Sequence, residues 1–326
     1  MSAISPTQAE LPGTSRRRAT IDWADVIRAA LPVVALVGIL AWIVSLEPDA
    51  LSYNGLTLLI STTIPLVFAT MAQMLMVTIG DIDLGIGAFI GFANVVIARY
   101  LVQHAGIGLL LLAGGVAAYG LLGALIHLRR IPSIVGTLGA SFVWLGLALL
   151  VLPSPGGTVP GFMTTFWAWS PPLVPLPVLI AIVVAIAGWL MVGRLPYGVV
   201  IRAAGDDPVA VGRAGWSVLR VRVTVYVAAA ILGVLAGVAT TVVTASGDAN
   251  SSAGLTLLSV AAVVLGGGEF SGGIANPIGG VIGAVAISLV APLLALLNVS
   301  SDYQTGVQGA ILIAVLAGRA LARRDV

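Results

Sequence analysis

The residues best able to do chemistry in this chain are acidic or backbone-exposing groups set between apolar stretches, and they fall in three places. The first is Gly80-Asp81-Ile82-Asp83. A carboxylate at the centre of a membrane helix costs about 2.5–3.5 kcal/mol, so such residues face a cavity, a partner or water. Asp81 reads either as a cap on the helix that follows it or, with Asp83, as part of a gate or pathway. The second place is residues 266–273, with five Gly in eight residues. Gly266, Gly267, Gly268, Glu269 and Ser271 read as a broken helix whose backbone lines a water-filled cavity. Tight packing of small residues against a neighbouring helix fits the same pattern.

The third place is polar. Asp206-Asp207-Pro208 has the form of an N-cap followed by Pro at the first helical position, and Gly215 that of a C-cap. A short helix carrying Ala210, Gly212 and Arg213 is expected between them. A plain solvated connector is the other reading.

Other chemistries are excluded by what the chain lacks. All 15 basic residues are Arg. Without Lys there is no Walker A loop and no Schiff-base catalysis. There is no Cys, so neither a thiol nucleophile nor a thiolate metal site is available. The two His, His104 and His127, lie outside any metalloprotease or triad spacing. No catalytic residue, metal site or cofactor is expected in the chain, and no nucleic-acid partner.

The elements that must position these residues are membrane helices. Hydrophobic residues make up 59% of the chain and charged residues 9%, with mean hydropathy +1.11, whereas a soluble domain carries about 25% charged residues. Cutting at Gly, Pro and charge yields about ten spans of an all-α integral membrane protein, some of them short or broken: 29–46, 56–79, 84–102, 106–127, 134–151, 174–193, 223–244, 255–267, 275–297 and 303–318. The eighth is too short to cross alone. Residues 1–28 read as a loose tail, 29–318 as one polytopic domain with a large loop at 194–222, and 319–326 as a C-terminal tail. The stretch 29–46 is longer than a signal-peptide core and lacks a cleavage site, so it reads as an uncleaved span.

Basic residues keep short loops in the cytoplasm. With both termini cytoplasmic, the Arg residues at 16–18, 28, 129–130, 194–222 and 319–324 lie inside and only Arg99 lies outside. The uncharged, turn-rich segment 152–173 with Trp167 and Trp169 then falls on the outer face. It reads as an aromatic belt anchoring a short surface helix, or as a docking surface or gate.

Four ordered segments resemble the permeases of sugar-type ABC importers, a group that includes ribose, xylose, arabinose, galactofuranose and autoinducer permeases. MVTIGDIDLGIGAF resembles that family's GGIDLSVGS segment, and RRIPSIVGTLGASF its IPxFIVTLGT stretch. YGVVIRAAGDDPVAVGRAGW resembles its cytoplasmic segment, and AAVVLGGGEFSGG its AAVVLGGTSLSGG signature. The resemblance implies a ten-helix permease in a bacterial inner membrane, paired with a second, identical or different, permease. It also implies cytoplasmic ATPases that use ATP and Mg, and a periplasmic or lipid-anchored binding protein that delivers a small polar solute such as a monosaccharide. The segment containing Asp206, Asp207, Pro208, Ala210, Gly212, Arg213 and Gly215 then resembles the element that couples to the ATPase.

Two departures bear on the solute. Leu145 stands where the family has Arg, and the acidic pair usual before the AAVVLGG run is replaced by residues 254–259, GLTLLS. An ion-coupled secondary transporter is the alternative function, disfavoured by the scarcity of ionisable residues within the spans.

Overall fold

The computed structural model describes residues 23–300 (backbone alone for 23–29) together with Tyr303, Gly306, Val307, Gly309, Ala310 and Ile313. The expected span at 303–318, the C-terminal tail and most of the N-terminal tail fall outside the described residues or largely so. Among the described residues every regular element is helical, and the one β-bridge, Gly156 with Gly247, is isolated.

The helices are α1 (Trp23–Leu46), α2 (Tyr53–Ser61), α3 (Ile64–Thr78), α4 (Ile86–Tyr100), α5 (Ala105–Arg129), α6 (Ser133–Val151) and α7 (Gly161–Trp167). They continue with α8 (Leu176–Trp189), α9 (Pro196–Asp206), α10 (Pro208–Arg213), α11 (Val218–Thr244), α12 (Leu255–Leu265), α13 (Pro277–Ser288) and α14 (Val290–Leu296). Helix α1 begins inside the stretch assigned to the tail. Among the described residues, five helical spans are long and apolar enough to cross a membrane, and α2 with α3 makes a sixth if that bent pair is one span. The expected ten are therefore matched in part.

Where the spans differ from expectation, a local cause is visible. The stretch 56–79 is two helices bent by 50°, because Pro65 can begin a helix but cannot donate within one. The stretch 194–222 is not a plain loop. A π-turn (Leu190–Arg194) runs into α9, started by Pro196, and α10 follows after a single residue. Helices α4 and α12 have 15 and 11 residues, about 22 and 16 Å at 1.5 Å per residue. Neither reaches across about 30 Å of hydrocarbon, in keeping with broken segments.

Helix α3 is the centre of the packing: every residue but Phe68 is buried. A helix apolar on all sides is stable only when surrounded, and α8, α11, α12 and α13 enclose it. Helix α4 sits between α5, α6 and α11. Its Phe89 packs against Tyr119 of α5 and Trp144 of α6, with ring centroids 4.8 and 4.9 Å apart, and Phe92 packs against Trp144 at 5.4 Å. Glycines on α5 make room for those rings. A Cβ on Gly115 would lie 3.1 Å from the Phe89 ring and 3.2 Å from the Phe92 ring. Helices α5 and α6 leave much of their apolar surface open, including Leu110, Leu121, Phe142 and Leu150, a surface suited to lipid or a second membrane subunit.

Candidate functional site: two breaks and the helix seated between them

The connection from α3 to α4 turns at Gly80, whose φ of 76° is open to glycine at no steric cost. It then carries two buried carboxylates, Asp81 and Asp83. Asp83 Oδ1 accepts from the Gly85 N–H at 2.7 Å, and Oδ2 accepts a short bond from the Tyr119 hydroxyl. Of the two acids, it is Asp83 rather than Asp81 that bonds Gly85, the residue leading into α4. With its amide oriented so that both ends find partners, Gln73 of α3 holds the Asp83 backbone, donating to its carbonyl at 3.0 Å and accepting from its N–H at 3.2 Å. From α6, Ser133 Oγ accepts from Ile82 N–H at 3.2 Å and Thr137 Oγ1 from Leu84 N–H at 2.9 Å.

Asp81 faces α11. Its Oδ2 accepts from the Tyr226 hydroxyl at 3.2 Å and lies 3.4 Å from an Arg222 guanidinium nitrogen. Burial pushes the Asp81 carboxyl above its ordinary range against the opposing pull of Arg222 and Tyr226. It pushes Asp83 up to about 6, against the Tyr119 and Gly85 hydrogen bonds. Both acids lie in the connection, outside the spanning helices. Their oxygens are taken up by protein donors, so the break ties five helices together.

The second break follows α12. Gly266 and the N-terminus of α13 touch backbone to backbone: a Cβ on Gly266 would lie 2.3 Å from Gly280 N, and one on Gly279 would lie 2.1 Å from Gly266 O. Gly267, Gly272 and Gly273 have φ of 100°, 84° and 76°. Here close packing and chain reversal account for the glycines together. Gly268 is buried, Glu269 half-buried and Ser271 exposed.

Between the two breaks sits the end of α9. A Cβ on Gly205 would lie 2.0 Å from Thr78 O, at the end of α3, and 2.7 Å from Gly273 N. The Gly273 N–H itself donates to Thr78 O at 2.9 Å, and a Cβ on Gly273 would lie 3.1 Å from Asp206 Cβ. The acidic break, the glycine break and the 206–215 segment, picked out separately in the sequence, therefore meet at one point.

Helix α10 follows directly. Asp207 Oδ1 accepts from the Val209 and Ala210 N–H groups, both at 2.9 Å, with Pro208 next in the chain. Asp206 ends α9, so the cap belongs to Asp207 alone. The helix stops at Arg213, and Gly215 reverses the chain at φ 87°. Val209, Ala210, Gly212, Arg213 and Trp216 are exposed.

Several residues of this arrangement were not singled out: Gln73 and Tyr119 lie outside every motif, and Ser133, Thr137, Gly205, Arg222 and Tyr226 lie within or just after the resembling segments with nothing to mark them there. A lone Gln in an apolar run and Arg222 just inside a span were the available signals. An 830 Å³ cavity between α3, α7, α8 and α11, lined by Phe68, Phe162, Trp167 and Leu232 among others, is apolar and holds none of the expected pathway residues.

Comparison with known proteins places the chain among transport components. A family model described as branched-chain amino acid transport system / permease component matches residues 55–316. The L-arabinose ABC transporter permease protein AraH of Azospirillum brasilense is 30% identical, over 95% of this chain and 91% of that protein. The ribose import permease protein RbsC of Escherichia coli K12 is 29% identical, over 93% of this chain and 96% of its own length. The D-allose transport system permease protein AlsC of the same strain is 27% identical, over 84% of this chain and 86% of its own. No solved structure matches.

Proposed function

The chain belongs to the family described as branched-chain amino acid transport system / permease component, and from that premise we propose that it is the membrane subunit of an ATP-driven sugar importer. It is a multi-pass membrane transport component and not an enzyme. The solute is a small polar molecule, a monosaccharide or a close relative. The family description names amino acids, but the three relatives above, each aligned over most of its length, are named for arabinose, ribose and allose. Leu145 and the 254–259 stretch leave the choice of sugar open.

Two copies, or this chain with a second permease, form the channel in a bacterial inner membrane. Separate cytoplasmic subunits bind ATP and Mg, and a binding protein outside delivers the solute. An ion-coupled carrier is not favoured, because the family is described as the permease component of a transport system and a relative is named an ABC transporter permease protein.

The observation that best supports a coupling role is the seat of Gly205. Helix α10 is short, capped at Asp207 and Pro208, and exposed along Val209, Ala210, Gly212 and Arg213. Its displacement acts through Asp206 on the backbone contact of Gly205 with Thr78 and Gly273. A push from an ATPase at α10 thus reaches both breaks at once. On this reading Asp81, Asp83 and the 266–271 segment are gating joints. The acids hold the joint through Tyr119, Tyr226 and Arg222 and leave solute contacts to other residues.

The test is transport into proteoliposomes containing the chain, its ATPase and its binding protein, with a panel of monosaccharides and branched-chain amino acids. ATP-dependent uptake of one sugar is expected. Uptake of branched-chain amino acids in its place overturns the solute class, and uptake driven by an ion gradient without ATP overturns the mechanism.

A further inference from the structure

At the end of α5 the chain leaves the helix through Arg130, a non-glycine residue in the left-handed conformation (φ 52°). That position is usually filled by Gly or Asn. Beside it, between the end of α5, the connection that leads into α6 and the start of α11, opens a cavity of about 550 Å³ lined by Arg130, His127 and Arg222 with walls from Ile126, Ile131 and Pro132. The three nitrogen-bearing side chains come from two distant segments and converge on one space. Among the described residues Arg130 has no acidic partner, and the carboxylate near Arg222 is Asp81, at 3.4 Å. The cavity thus presents guanidinium and imidazole donors and no acid beyond the one Arg222 already pairs with.

The surface next to it is apolar. Leu121, Leu125 and Leu128 on α5 are 71%, 48% and 65% exposed, and Ile134 and Val135 on α6 are 43% and 61% exposed. A cationic cavity at the end of a span, flanked by an open apolar helix face, has the two-part chemistry of an anionic phospholipid. The headgroup phosphate takes the guanidinium forks, and the acyl chains lie along the leucines. Basic cavities between helices on the cytoplasmic side are suited to such headgroups.

We propose that the cavity between the end of α5, the connection after it and α11 binds the phosphate headgroup of an anionic phospholipid through Arg130, Arg222 and His127. Because Arg222 also touches Asp81, an occupied cavity meets the acidic break through a single side chain. The bound lipid therefore bears on the joint between α3 and α4. This assignment is independent of the transport reading, since it needs only the membrane and the chain.

The full-length chain in detergent micelles, titrated with phosphatidylglycerol and observed by native mass spectrometry, tests it. One saturable phosphatidylglycerol site is expected, with phosphatidylcholine at least about tenfold weaker and no displacement by millimolar inorganic phosphate. Arg130→Asn keeps a residue tolerant of the left-handed backbone and should weaken that site about tenfold. Arg194→Gln removes the same charge from the end of the π-turn that follows α8 and should leave the site unchanged. If Arg130→Asn does not fold, His127→Gln carries the same expectation at smaller size. Equal loss in Arg130→Asn and Arg194→Gln overturns the site in favour of diffuse attraction between cationic loops and lipid. Occupancy by inorganic phosphate without phosphatidylglycerol overturns the lipid as its source.

Discussion

Asp83 is enclosed on every side, and the hydroxyl of Tyr119 is the donor that closes its second oxygen. Removing only that hydroxyl, as Tyr119→Phe does, leaves the ring stacked against Phe89 and Trp144 but strips a buried acceptor of its partner. Such an orphan costs about 1–3 kcal/mol. Thermal unfolding of the detergent-solubilised variant should show a loss of that size, and a loss below about 0.5 kcal/mol would mean that the bond does no structural work. The two acids were legible in the sequence because a charge in an apolar run stands out. Their partners were not, because Tyr119 lies 36 positions from Asp83 and Tyr226 lies 145 from Asp81, and a Tyr in a helix carries no mark of what its hydroxyl will meet.

Among the elements, α10 was readable and α9 was not, for a physical reason. A cap is local: Asp207, Pro208 and Gly215 specify the start and stop of α10 within a few residues. Helix α9 is held by the burial of Gly198, Ile201 and Ala204, and that burial exists only once α3 and α11 are in place. The same holds for Gly205, whose requirement comes from Thr78 and Gly273. Two substitutions separate docking from transmission. Ala210→Glu adds a charge to the exposed face of α10 and should weaken ATPase association by at least about tenfold, or roughly 1.4 kcal/mol. Gly205→Ala sets a methyl 2.0 Å from the Thr78 carbonyl and should leave association intact while transport per ATP hydrolysed falls by a similar factor. Co-purification measures the first and coupled uptake the second. If Gly205→Ala transports normally, force does not pass through that contact.

At the scale of the whole molecule the question is which ends of the helices face the cytoplasm, and the charge pattern makes a definite statement. Arg194, Arg202, Arg213, Arg220 and Arg222 lie in or beside α9 and α10 along the chain, and Arg130 shares a cavity with Arg222, while the 152–160 connection, free of charge, pairs with Gly247 and bonds to Ala98 next to Arg99. Basic residues near span ends favour the cytoplasm, so the two clusters should lie on opposite sides of the bilayer. The chain has no Cys, so single cysteines can report this against a clean background. Gly212 suits one face, since a Cβ there meets nothing within 4 Å. On the other face Gly157 is a poor choice: its φ is 86°, and a Cβ would lie 2.6 Å from the Ala98 carbonyl. Ser154, exposed in the same connection and nearly isosteric with Cys, is the better site. In intact spheroplasts a membrane-impermeant maleimide should label Ser154→Cys and spare Gly212→Cys, and in inside-out vesicles the pattern should reverse. Labelling of both from the same side would place α9 and α10 on the outer face, out of reach of any cytoplasmic ATPase, and coupling through Gly205 would then have no source of force.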